Sequence, residues 1–214
     1  MNRSTLRSIL LAMVAFVGGL FAARALHESR SPPEPPRLQR ATWLPGGGAA
    51  LPRLALLDQD GRVFDGSAFA EHWTVVVFGF TACPDVCPTT LAALQRLQRA
   101  LADLPPAQRA QLLFVSVDPE RDTPQQLREY LRAFGPGIIG ATGTAQGVAA
   151  AAQAFGIGYA RVPQPDGSYT MDHGASAFIV GPGGSIVATS PAPHDAAVLG
   201  ADYRAIVAAY QKSS

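Results

Sequence analysis

Cys83 and Cys87 are the only cysteines in the chain, and they stand four residues apart in Phe80-Thr81-Ala82-Cys83-Pro84-Asp85-Val86-Cys87-Pro88. Two sulfurs at this spacing can close a disulfide, exchange with a disulfide of another protein, attack peroxide or bind a soft metal, and the thiolate is the reactive form for exchange and for metal. A purely structural disulfide is the plainest reading, but closing so short a loop adds only about 2 kcal/mol in the chain-entropy model. A redox or metal role fits the position better, because the pair lies where a buried strand runs into a helix. Proline disfavours helical geometry in the residue before it, so Cys87 is expected at the helix start and Cys83 in the loop above. The helix N-terminus favours anions, which predicts thiolates forming below the free value of about 8.5. Structural zinc normally takes four ligands, and the chain has no second cysteine pair. Two thiolates and one imidazole suit copper, sulfur matching Cu(I) and nitrogen helping the site tolerate Cu(II).

The elements that must hold these sulfurs follow from the apolar pattern. Thr74 to Phe80 is a continuous β-branched and apolar run, as expected of a strand covered on both faces, and Leu112 to Val117 is a second. Pro88 to Ala102 carries Leu91, Leu94, Leu97 and Leu101 at mostly helical spacing. Thr123 is placed to cap a helix running through Phe134, and Asp122 reads as part of the same turn chemistry as Asp118 and Glu120, with no catalytic role. Ile138 to Ala141 and Thr144 to Phe155 repeat the strand and helix alternation. Ala175 to Val180 and Ser185 to Thr189 flank Gly181-Pro182-Gly183-Gly184 as an antiparallel hairpin, and Ala201 to Lys212 forms a closing helix. A smaller hairpin, Leu54 to Leu57 with Arg62 to Phe64, is expected at the sheet edge. This βαβ half followed by a ββα half predicts an α/β, thioredoxin-like fold with a mixed central sheet flanked by helices.

Length and composition agree with one domain and its appendages. The chain has 214 residues, 48% hydrophobic and 15% charged, with a formal net charge of +1. Residues 1–40 carry six Arg against Glu28 and Glu34, while residues 41–214 hold 11 basic and 14 acidic groups, a sign that argues against nucleic acid as a partner. Arg3 and Arg7 precede an apolar run from Ile9 to Ala23, so residues 1–27 read as a signal or signal-anchor segment, here favoured as an uncleaved anchor. Residues 28–48, with Ser31-Pro32-Pro33-Glu34-Pro35-Pro36 and Gly46-Gly47-Gly48, read as a linker, and residues 49–214 as the folded domain. The domain then lies in the periplasm, tethered to the inner membrane.

The motifs around the cysteines resemble the SCO/SenC family of copper-binding, thioredoxin-like proteins. The resemblance rests on Phe78-Gly79-Phe80-Thr81, Cys83-Pro84-Asp85-Val86-Cys87-Pro88-Thr89-Thr90, Asp118-Pro119-Glu120-Arg121-Asp122-Thr123-Pro124 and Asp172-His173. It covers residues 50–211 and implies that Cys83, Cys87 and His173 are copper ligands, with Asp172 as a candidate to orient the imidazole. It further implies a metallochaperone that delivers copper to the dinuclear copper site of cytochrome c oxidase, with the copper-site subunit, a copper donor chaperone and a thiol reductase as partners. That is binding and transfer rather than turnover, and oxidation to a Cys83–Cys87 disulfide switches the site off. The competing reading is a membrane-tethered thiol-disulfide oxidoreductase in which Cys83 attacks, Cys87 resolves and His173 is dispensable. Gly174 departs from the family pattern, which has a larger or hydroxyl residue there. Met171 is expected to pack within a strand, and His27, His72 and His194 to lie on the surface.

Overall fold

Seven consecutive residues, Trp73–Gly79, form the central strand β4, and all seven are buried. Burial on both faces explains why Val75, Val76 and Val77 follow one another without a polar alternate. In the computed structural model, which describes residues 35–44, 48 and 50–213 together with five isolated positions nearer the N-terminus, β4 is one of ten strands among the described residues. They are β1 (Thr42–Trp43), β2 (Leu56–Asp58), β3 (Val63–Phe64), β4, β5 (Ala110–Ser116), β6 (Ile138–Gly143), β7 (Tyr159–Pro163), β8 (Tyr169–His173), β9 (Ala177–Val180) and β10 (Ile186–Ser190). Eight of them form one sheet in the order β1-β10-β9-β4-β5-β6-β2-β3, and β7 pairs with β8 as a separate two-stranded sheet.

β4, β5 and β6 run parallel, each joined to the next through a helix, and β9 lies antiparallel along the other side of β4. The helices are α1 (Val86–Ala100), α2 (Pro124–Arg132), α3 (Ala145–Ala154) and α4 (Ala196–Ser213). Thr123 and Thr144 cap α2 and α3, their hydroxyls accepting the amides of Gln126 and Gly147. Leu91, Leu94 and Leu97 of α1 are fully buried in the core formed with β4 and β5, the three-and-four spacing having placed them on one face. The expected hairpins at β2/β3 and β9/β10 both form.

The folded unit begins earlier than the proline- and glycine-rich stretch suggests. Pro35–Lys212 forms one compact unit. Thr42 and Trp43 pair with Thr189 and Ala188, and the amides of Gly48 and Leu51 donate to Ile186 and Gly184. The cause lies at the other end of the chain: the carboxylate of Asp202, 1% exposed, accepts the amides of Gln39, Arg40 and Ala41. The expected anchor lies outside the described residues, among which no helix is long and apolar enough to cross a membrane.

Candidate metal centre

The sulfurs are positioned by the junction of β4 and α1. α1 begins at Val86, two residues earlier than the position of Pro88 suggests, so Cys87 lies in the first turn. Pro88 is tolerated there because the first helical amides have no partner within the helix. The Asp85 side chain makes no cap bond. Cys83 Sγ takes that role, accepting the Cys87 amide at 3.4 Å. Cys83 is half-buried and Cys87 only 3% exposed; both are free thiols.

Gly79 makes the room that Cys87 occupies. A Cβ at Gly79 would meet Cys87 Sγ at 2.8 Å and the Phe114 ring at 2.5 Å. This lodging corrects the expectation of an acidified pair, because burial pushes the Cys87 thiol up to about 12. The helix N-terminus favours the anion, but desolvation under Gly79 and Phe114 opposes it and wins. Cys87 therefore keeps its proton at neutral pH.

His173, the last residue of β8, brings its Nε2 to 3.8 Å from Cys87 Sγ. Its Nδ1 lies 3.0 Å from the Gly174 carbonyl. A carbonyl only accepts, so Nδ1 carries the proton and Nε2 presents its lone pair to the sulfur. The Phe80 ring stands perpendicular to the imidazole with centroids 5.9 Å apart. Asp172 does not fill the orienting role expected of it. It is exposed, because neighbouring strand residues face opposite ways, and the Gly174 carbonyl serves instead. A Cβ at Gly174 would come within 2.9 Å of Ile157 Cδ1, the end of a flexible side chain that would have to shift to admit it.

The loop carrying Cys83 is tied down by Asp122, which sequence reasoning assigned to turn chemistry alone. Its carboxylate is buried and accepts from the Thr81 amide (3.0 Å), the Thr81 hydroxyl (2.6 Å) and the Ser116 hydroxyl (2.6 Å). Burial raises its pKa above the ordinary carboxylate value, against the lowering effect of these bonds. Its place in Asp118-Pro119-Glu120-Arg121-Asp122 was the available signal. Met171 packs against the core as expected. His72 is exposed, but His194 is half-buried, donating from Nε2 to the Ala175 carbonyl at 2.9 Å. His27 lies outside the described residues.

The structure thus brings Cys87 and His173 together and joins Cys83 to them through the Cys87 amide. Among the described residues no group of three His, Cys, Asp or Glu side chains forms a finished metal cage. The donor types nevertheless fit copper: two sulfurs and an imidazole with a free lone pair.

A mixed sheet whose first parallel strand ends in a two-cysteine loop, with an imidazole carried over the buried sulfur, defines a thioredoxin-like dithiol protein with an added nitrogen donor. A family profile described as SCO1/SenC matches residues 48–208, and the chain belongs to that family. The mitochondrial SCO2 homolog of Bos taurus is 33% identical over 180 residues, spanning 83% of this chain and 66% of its own length. The matched stretches span between 38% and 67% of the length of the curated relatives. Among solved structures, Arabidopsis thaliana ScoI with copper bound matches with a TM-score of 0.68 at 30% identity, over 78% of this chain and 98% of that one. Bradyrhizobium japonicum ScoI with copper bound matches with a TM-score of 0.65 at 33% identity, over 74% and 97% respectively.

Proposed function

We propose that the protein is a copper metallochaperone that holds its cargo through Cys83, Cys87 and His173 and passes it to the dinuclear copper site of cytochrome c oxidase during assembly. The observation that carries this reading is the approach of His173 Nε2 to Cys87 Sγ at 3.8 Å with Nδ1 already committed to a carbonyl. Thiol-disulfide exchange requires only the two sulfurs, whereas a copper site uses the imidazole lone pair as a third donor. The copper-bound ScoI structures support the same reading.

Loading exchanges protons for metal. Cys87 is protonated at neutral pH and donates its S–H toward Nε2, so Cu(I) displaces that proton. Cys83, half-buried and already accepting an amide at the helix N-terminus, is the ligand within reach of a donor or acceptor, and release proceeds by exchange of its sulfur for an acceptor's thiolate. Both sulfurs must be reduced, which links loading to a thiol reductase. On this reading residues 1–27 tether the domain to the inner membrane and the site works in the periplasm.

The half-buried Cys83 beside a buried Cys87 also suits a thiol-disulfide oxidoreductase, with Cys83 attacking and Cys87 resolving. One experiment separates the two. The reduced, Cu(I)-loaded chain is mixed anaerobically with the apo copper-site subunit, once with its cysteines reduced and once oxidised. The chaperone reading predicts metal transfer to the reduced subunit that is lost in His173→Ala; reduction of the oxidised subunit that survives His173→Ala favours the oxidoreductase.

A further inference from the structure

The strand that delivers His173 belongs to neither the eight-stranded sheet nor a helix. β7 and β8 pair only with each other among the described residues. No backbone ladder therefore fixes the distance from His173 to Cys87. The three-residue link 174–176 to β9 holds one end of β8, and side-chain contacts hold the other; the most concentrated set converges on Arg121, in the loop that follows β5.

Arg121 NH1 donates to the Tyr169 carbonyl at 3.0 Å, at the first residue of β8. Its guanidinium lies 3.8 Å from the centroid of the Tyr169 ring and 5.8 Å from that of Phe80, the ring that stands edge-on to His173. The third hold is on Asp118, 3% exposed, which accepts from Arg121 Nε and, at 3.0 Å, from the Tyr169 hydroxyl. One planar cation thus grips the backbone and ring of the hairpin on one side and the buried Asp118 just beyond β5 on the other. Guanidinium geometry permits this, whereas an ammonium offers no plane to stack and no fixed fork.

We propose that Arg121 is the positioning residue of the imidazole ligand: it seats the β7–β8 hairpin so that His173 faces Cys87, and without it the chain behaves as a two-sulfur site. This rests on the copper reading above, so the test has one arm that uses no copper. In the reduced full-length apo protein, Arg121→Ala should raise amide exchange at Thr170 and Asp172 about tenfold or more while exchange in β4 and β5 stays at the wild-type rate. Unchanged exchange in β8, or equal acceleration in β4 and β5, overturns the proposal.

The second arm is a thermodynamic cycle on Cu(I) affinity with Arg121→Ala, Arg121→Lys and His173→Ala. Arg121→Ala should weaken binding about tenfold, within the usual range for groups that orient a ligand, and Arg121→Lys should not restore it. In the His173→Ala background the same substitution should have no further effect. An equal loss in both backgrounds overturns the proposal, because Arg121 would then act on the sulfurs or on the whole fold. If His173→Ala alone leaves Cu(I) affinity unchanged, the copper reading fails, and the exchange arm decides the role of Arg121 by itself.

Discussion

Replacing Gly79 by alanine should damage the centre more than its size implies. The added Cβ would stand 2.5 and 2.9 Å from two atoms of the Phe114 ring and 2.8 Å from Cys87 Sγ, against about 3.5–4.0 Å for an ordinary carbon contact. Phe114 is 1% exposed and Cys87 3%, so neither can swing into solvent, and roughly 1 Å must be absorbed inside the core. Overpacking of this kind costs about 1–3 kcal/mol. For a domain of this size, a loss of about 2 kcal/mol lowers Tm by about 4–8 °C. Because a reacting sulfur is one of the two obstacles, Cu(I) affinity should fall about tenfold as well, a site of this kind tolerating only about 0.5 Å of misplacement. Thermal unfolding of the reduced apo protein and Cu(I) competition titration read the two effects. Gly158→Ala is the control, since a Cβ there meets nothing within 4 Å. A wild-type Tm and affinity in Gly79→Ala, or like behaviour of the two substitutions, would show that Gly79 does not make room for Cys87.

Asp202→Ala strands three amides of Gln39, Arg40 and Ala41 and should cost about 3 kcal/mol, seen as a lower urea midpoint and as faster trypsin cleavage after Arg37 or Arg40. Thr123→Ala removes the hydroxyl that accepts the Gln126 amide at 3.2 Å and should cost about 1 kcal/mol in the same urea assay, with Cu(I) affinity unchanged. Asp122 has a folded pKa above its unfolded value near 3.8 because of burial; the fold therefore favours its protonated form. The wild type should accordingly lose stability relative to Asp122→Asn as pH rises from about 3.8 through the folded value, and a stability difference that does not change with pH contradicts this. Since the Cys87 thiol titrates at about 12, Cu(I) binding should release its proton throughout neutral pH and tighten by about tenfold per pH unit between roughly pH 7 and 9 from this group alone; competition titrations at several pH values check the slope.

What the sequence discloses depends on whether the signal is local. β4 and β5 are legible because double-sided burial leaves an unbroken apolar run, and the caps Thr123 and Thr144 because capping uses neighbouring residues. The β7–β8 hairpin is not legible. β7 is exposed along nearly its whole length, with Arg161 and Pro163 in it, so it carries no apolar alternation. The early start of the fold is hidden for a different reason, because Asp202 lies more than 160 residues from the amides it holds. Of the candidate site, Cys83 and Cys87 announce themselves by position, and His173 only through its motif. The pKa of Cys87 came out opposite to expectation because a sequence shows where a helix begins but not that a sulfur lodges beneath Gly79 and against Phe114.

On the proposed function, Cys83, Cys87 and His173 act together as one copper site. Anaerobic titration of the reduced full-length chain with Cu(I), against a competing chromophoric chelator, tests it most directly alongside Cys83→Ser, Cys87→Ser and His173→Ala. One tight equivalent of copper should bind, with an affinity that drops at least about tenfold in each of the three variants. Weak binding in the wild type, or binding that survives the loss of His173, contradicts it.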